Sequence, residues 1–183
     1  MPAATLRPLL ASPWPPIAAM TLVVVASNWL VQYPINDVLT WGAITYPFSF
    51  LVTDLTTRLQ GPERARRAVW VGFALAVLLS AWLATLRIAL ASGTAFLVGQ
   101  LLDIRVFQRL RAGSWWRAPL VSSTLGSVVD TALFFSLAFA GTGLPWVTLA
   151  LGDLGVKLLM ALLALAPFRA ALALALPVPR PAR

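Results

Sequence analysis

Six ionisable residues, Asp54, Arg87, Asp103, Asp130, Asp153 and Lys157, lie inside or at the rim of the long apolar stretches of a 183-residue chain. A charge withdrawn from water into a bilayer costs kilocalories, so such groups usually face a protein interior or an aqueous path and mark function. Two acids can share one proton, an acid and a lysine can neutralise one another across helices, and a carboxylate can accept two N–H groups of a polar ligand. The chain has no Cys and no His. That removes thiolate chemistry, disulfides and the commonest metal ligands, and no cofactor is expected.

The elements that must hold these groups are membrane helices. The chain is 60% hydrophobic and 11% charged, with a mean hydropathy of +0.84, which is the composition of one polytopic membrane domain and not of a soluble globule. A spanning helix needs about 20 mostly apolar residues. Six segments qualify, at 17–34, 38–58, 67–85, 88–107, 118–140 and 146–169, with Pro34, Pro119 and Pro145 at three of the boundaries. The expected fold is all-α integral membrane with six transmembrane helices. Residues 1–16 are read as a short uncleaved cytoplasmic tail, 17–169 as the membrane domain and 170–183 as a cytoplasmic C-terminal tail that extends the last helix towards Pro177 and then frays.

The net charge of +8 could suggest nucleic acid, but the basic residues fall in short groups between apolar spans, so no nucleic-acid partner is expected. Arg7, the group Arg58, Arg64, Arg66 and Arg67, the group Arg105, Arg109, Arg111 and Arg117, and Arg169, Arg180 and Arg183 place twelve of the fourteen basic residues on one side. The positive-inside rule makes that side cytoplasmic, with both termini inside. Arg87, at a very tight outer turn, and Lys157, near the middle of the sixth span, are the exceptions that topology does not explain.

Residues three or four apart share a helix face. Span four aligns Ser92, Phe96, Gln100 and Asp103; span five aligns Ser123, Ser127, Asp130 and Phe134; span six offers Trp146, Asp153 and Lys157; span one offers Asn28 and Gln32. Span two presents Tyr46, Phe50, Thr53 and Asp54 around Pro47, which cannot donate to the carbonyl of Ala43 and loosens the helix there. Some of these groups have structural explanations. Asp54 can pair with Arg58 and Asp103 with Arg105 or Arg109 at the cytoplasmic rim, Asp153 can serve Lys157 one turn away, and Gln100 and Asn28 can be interhelical hydrogen-bond glue. Asp130 has no basic residue within a turn and sits at mid-span, with Lys157 as the cross-helix partner. The stretches FLVTDL and FLVGQLLD, on spans two and four, also look faintly alike.

Several stretches resemble the queuosine precursor transporter family, also called the vitamin-uptake-like family. They are ASNWLVQYP, TWGAITYPFSFLVTDLTTRLQGPERARR, RIALASGTAFLVGQLLDIRVFQRLR and WWRAPLVSSTLGSVVDTALFF, followed by GDLGVK and AP of the last span, in order from about residue 26 to 168. The resemblance implies a bacterial inner-membrane importer of the deazaguanine bases preQ0 and preQ1, which feed queuosine synthesis in transfer RNA. It also implies a fold related to the substrate-binding subunits of energy-coupling-factor transporters. The family's polar positions fall on Asn28, Asp54, Arg87, Gln100, Asp103, Asp130 and Lys157, and Ser127 stands where relatives usually carry Asn or Gln. A guanine-like face offers an N–H and an amine as donors and a carbonyl as acceptor. Asp130 or Asp103 would take the donors, Gln100, Asn28 or Lys157 the carbonyl, and Phe50, Phe96 and Phe134 are the stacking candidates.

Two other readings compete with a stand-alone importer. A substrate-capture subunit of an ATP-driven transporter would carry an Ala-x-x-x-Ala docking motif on its first helix, and span one has none. An intramembrane aspartyl protease would use Asp130 and Asp153 as a proton-sharing dyad, which Lys157 would disturb. The expected partners are a small deazaguanine and the lipid bilayer. A homodimer stays open, with no G-x-x-x-G motif to nominate its face.

Overall fold

The structure, a computed structural model, describes residues 11–30, 32–36 and 39–175. Its helices are α1 (Trp14–Leu30), α2 (Trp41–Thr45), α3 (Phe48–Leu59), α4 (Pro62–Leu83), α5 (Leu86–Leu110), α6 (Arg117–Phe139) and α7 (Trp146–Ala175), with a two-stranded antiparallel hairpin, β1 (Pro34–Asn36) and β2 (Leu39–Thr40), between α1 and α2. The helices α4, α5, α6 and α7 are long and apolar enough to cross a membrane, and α1 is an apolar helix of 17 residues. The chain is thus an all-α, multi-pass membrane protein. The helix α1 begins at Trp14, within the stretch read as a tail; residues 1–10 and 176–183 lie outside the described residues.

The expected second span, 38–58, is the main correction. It is two short helices, α2 and α3, separated at Tyr46 and Pro47. Proline cannot donate to the carbonyl one turn back, and the chain instead tightens, with Ser49 N bonding Tyr46 O and Phe50 N bonding Pro47 O three residues away. Other ends follow local chemistry. The hydroxyls of Thr40 and Thr85 accept from the backbone N–H groups of Ala43 and Ile88 and start α2 and α5. Gly61, at φ +94°, makes the turn into Pro62 at the head of α4. The first span ends at Leu30 and not at Pro34, while α7 runs on through Pro167 to Ala175.

Packing places α3 inside. It touches α1, α4, α5, α6 and α7, while α1 packs on α4, α4 on α5, α5 on α6, α6 on α7 and α2 on α7. The α5–α6 seam is closest where Gly99 faces Gly126. A Cβ on Gly99 would stand 3.0 Å from Asp130 Cβ, and one on Gly126 would stand 2.7 Å from Phe50 Cε1. Two small residues let these backbones meet, as helices in lipid must to gain packing contact. An apolar cluster of Met20, Val24, Val69, Phe96 and Ile104 ties α1, α4 and α5 together. Tryptophan marks the two rims: Trp14, Trp115 and Trp116 lie at one end of the bundle, and Trp29, Trp41, Trp82 and Trp146 at the other.

Candidate functional site

Because Pro47 breaks the second span at mid-bundle, the last residue before it, Tyr46, turns towards α6 and α7. Its hydroxyl donates to Asp130 Oδ1 at 2.7 Å. On the other side Lys157 Nζ, from α7, donates to Asp130 Oδ2 at 2.6 Å, and it also meets Asp153 Oδ2 at 2.5 Å. Thr131 completes the group: its hydroxyl accepts from Lys157 at 3.0 Å and donates to Asp153 at 2.8 Å. Asp130 and Lys157 are 3% and 4% exposed. No buried polar atom of this group is left without a partner, which buried charges require.

The ammonium lies 5.2 Å from the centre of the Tyr46 ring, and Phe50 and Phe96 pack edge-on against that ring at 6.5 and 6.3 Å. A narrow cleft opens beside Lys157, bounded by Pro47 and Phe50, by Ser123 and Ser127 of α6 and by Ala161 of α7. Its free volume, about 10 Å³, is the room of a single water.

Below this network the polar column continues towards the arginine-rich end. Gln100 is fully buried; its Oε1 accepts from Thr53 at 2.6 Å and its Nε2 donates to Ser49 at 2.8 Å. One helical turn further, Asp54 accepts from Ser122 at 3.0 Å and from Ser123 at 2.9 Å, and Asp103 lies within hydrogen-bonding reach of it. The eight residue steps from Ser122 to Asp130 span roughly 12 Å of α6.

The structure brings Asp130, Lys157, Phe50 and Phe96 together, with Gln100 a turn away and Asp54 and Asp103 below. It separates the others. Asn28 bonds Val24 O at 2.9 Å and accepts from Ser80 at 3.2 Å, so it joins α1 to α4. Phe134 sits in a cluster with Phe135 and Phe139 near the end of α6. Arg87 donates to the backbone oxygens of Leu137 at 2.8 Å and Ala140 at 2.7 Å. It caps the C-terminus of α6, where unpaired carbonyls and the negative end of the helix dipole favour a cation.

Arginine pairing for Asp54 and Asp103 is overturned. Arg58 is four residues from Asp54, but its guanidinium donates to Arg111 O at the end of α5, at 2.6 Å. Arg105 and Arg109 are exposed while Asp103 is fully buried, since steps of two and six residues turn a helix well over a right angle away. The dyad expected of an aspartyl protease is also undone, because Lys157 occupies the space between Asp130 and Asp153.

Three participants escaped the sequence reading, Thr131 at the ion network and Ser122 and Ser49 beneath it, while Tyr46 stood in the span-two constellation but not among the candidate binding residues. Tyr46 had a signal, the proline after it, and Thr131 another, its place beside Asp130. The two serines had none.

The sequence matches the family described as putative vitamin uptake transporter over residues 40–86 and 80–172. A probable queuosine precursor transporter of Haemophilus influenzae is 36% identical over 186 residues, covering 79% of this chain and 79% of that protein. The queuosine precursor transporter of Escherichia coli is 37% identical over 175 residues, covering 80% and 79%. A probable queuosine precursor transporter of Bacillus subtilis is 28% identical over 130 residues, covering 56% and 57%. No solved structure matches. These relatives are named transporters and not enzymes, and this chain belongs with them to the putative vitamin uptake transporter family.

Proposed function

We propose that this protein imports queuosine precursors, the deazaguanine bases preQ0 and preQ1, across the bacterial inner membrane. The observation that carries the proposal is the arrangement of Lys157 between two carboxylates. A base edge with two N–H donors can take over Asp130, displacing both the tyrosine hydroxyl and the ammonium. Lys157 is not stranded by the exchange, because Asp153 still holds it, and it is then free to donate to the base carbonyl. A simple Asp–Lys pair would lose its cation's only partner in the same step, at a cost of several kilocalories. Tyr46, Phe50 and Phe96 supply aromatic surface for a flat heterocycle, and Gln100 supplies an amide one turn below.

The names of the relatives support the substrate class. The broken helix at mid-bundle supports alternating access, since irregular backbone at membrane depth belongs where a cavity is lined. The arginine groups at the α3–α4 and α5–α6 turns support a topology with both termini in the cytoplasm. The fold is proposed to be kin to energy-coupling-factor binding subunits, and the leucines exposed along α7, Leu151, Leu159, Leu162 and Leu163, to face lipid.

The test is rescue. Cells unable to make the precursors, supplied with preQ0 or preQ1, should regain queuosine in transfer RNA only when this chain is present. Asp130→Asn and Gln100→Ala should each cut uptake about tenfold, the loss of one good hydrogen bond to a buried ligand. Full rescue by both variants would dismiss the proposed site, and no rescue by the intact, membrane-inserted protein would dismiss the substrate.

A further inference from the structure

The lower carboxyl pair takes no part in that exchange, yet it is the least compensated group in the protein. Asp54 is 2% exposed and Asp103 0%. Each serine hydroxyl beside them has a single proton to give, and Ser122 and Ser123 both give theirs to Asp54. Both oxygens of Asp103 are left without a donor, and the buried hydroxyl of Thr57, one turn beyond Asp54 on α3, has no partner either. No cation compensates them among the described residues that face the pair. Arg58 on α3 is spent on Arg111 O, Arg105 and Arg109 on α5 point outward, Arg117 at the head of α6 is exposed, and on α7 Lys157 is held by Asp130 and Asp153 while Arg169 lies over the Trp115 ring.

Two bare carboxylates in contact inside a membrane repel strongly, with little solvent to screen them. One proton between them converts the repulsion into a carboxylic acid–carboxylate hydrogen bond and gives Asp103 the donor it lacks. We propose that Asp54 and Asp103 form a proton-binding site, separate from the base site, through which import is coupled to proton entry. The proposal rests on the importer reading above.

The geometry also says how coupling would work. The pair bridges α3, α5 and α6 on the side of the bundle that carries the arginine turns. Protonated, it holds these helices together. On deprotonation the two negative charges drive α3 from α5 and open that side, and Ser122 and Ser123 can divide their donations between the carboxylates. Gln100 lies one turn from Asp103 on α5 and bonds Thr53, the neighbour of Asp54 on α3. Movement at the acids therefore reaches the floor of the base site through a continuous set of bonds.

The experiment uses the full chain in proteoliposomes with labelled preQ1. An inward-directed proton gradient of one pH unit, acid outside, should drive about tenfold accumulation, the equilibrium for one proton per base. Asp54→Asn and Asp103→Asn should each abolish that accumulation while keeping exchange of internal for external base, because an amide has the shape of the protonated acid, one acceptor oxygen beside a donor, and cannot release a proton. Infrared spectra of the reconstituted protein should show a protonated-carboxyl band at neutral pH that is lost in the doubly substituted protein. Accumulation indifferent to the pH gradient, accumulation following a sodium gradient instead, or absence of the band would each overturn the proton site while leaving the importer standing. The band without any base movement would sink the importer and support the proton site.

Discussion

Lys157 is one ammonium serving two carboxylates, and the asymmetry of that arrangement is measurable. Removing it in Lys157→Met strands Asp130 and Asp153 together, at about 3–5 kcal/mol of stability. Asp153→Asn leaves the ammonium paired to Asp130, and the loss should be roughly 1 kcal/mol. Thermal or denaturant unfolding of the two variants in detergent gives the comparison, and equal losses would mean that Asp130 alone does not hold the lysine. The residues that pair here were partly legible in the chain. Asp130 at mid-span without a local base demanded a cross-helix partner, and Lys157 at similar depth was the one cation to offer. Asp54 misled because Arg58 stands at the right helical spacing, and spacing says nothing of the free carbonyl at Arg111 that competes for the guanidinium.

Pro47 and Arg87 show what single positions do to whole helices. Pro47 divides a span and so sets a tyrosine hydroxyl at mid-bundle. Arg87 fastens the start of α5 to the end of α6 by two carbonyl contacts. Arg87→Gln should therefore cost roughly 1 kcal/mol of stability and leave the affinity for precursor as it was. A loss of affinity without a loss of stability would return Arg87 to the site, where the family resemblance alone had put it. The four membrane-length helices and the apolar α1 were legible from apolar length. The division of the second span was legible only as a loosening at Pro47, because whether a proline kinks or breaks a helix depends on what its neighbours offer the freed carbonyls.

The molecule as a whole is a ring of helices around the short α3, with one polar column inside and leucine outside. Its orientation rests on charge, and the lack of cysteine in the native sequence makes it easy to check. A single cysteine placed at Thr142, in the α6–α7 turn, should react with an impermeant thiol reagent from outside the cell. One placed at Ser114, in the arginine-rich α5–α6 turn, should react only after the membrane is opened. The reverse pattern would invert the topology and with it the direction of the proposed proton coupling.

Hydrophobic length, the arginine groups and the buried acids are properties of the chain read in order, and they sufficed for a polytopic membrane class, the approximate spans and the prominence of Asp130. They sufficed because the bilayer penalises each misplaced charge regardless of its neighbours. Which carboxylate meets which donor is a different kind of fact. Asn28, Arg87 and Asp103 look alike as polar residues in apolar runs, yet one is helix glue, one is a cap and one is an acid without a donor. Distances of a few ångströms between residues up to 84 positions apart, as for Tyr46 and Asp130, assign those roles, and they exist only once the helices have packed.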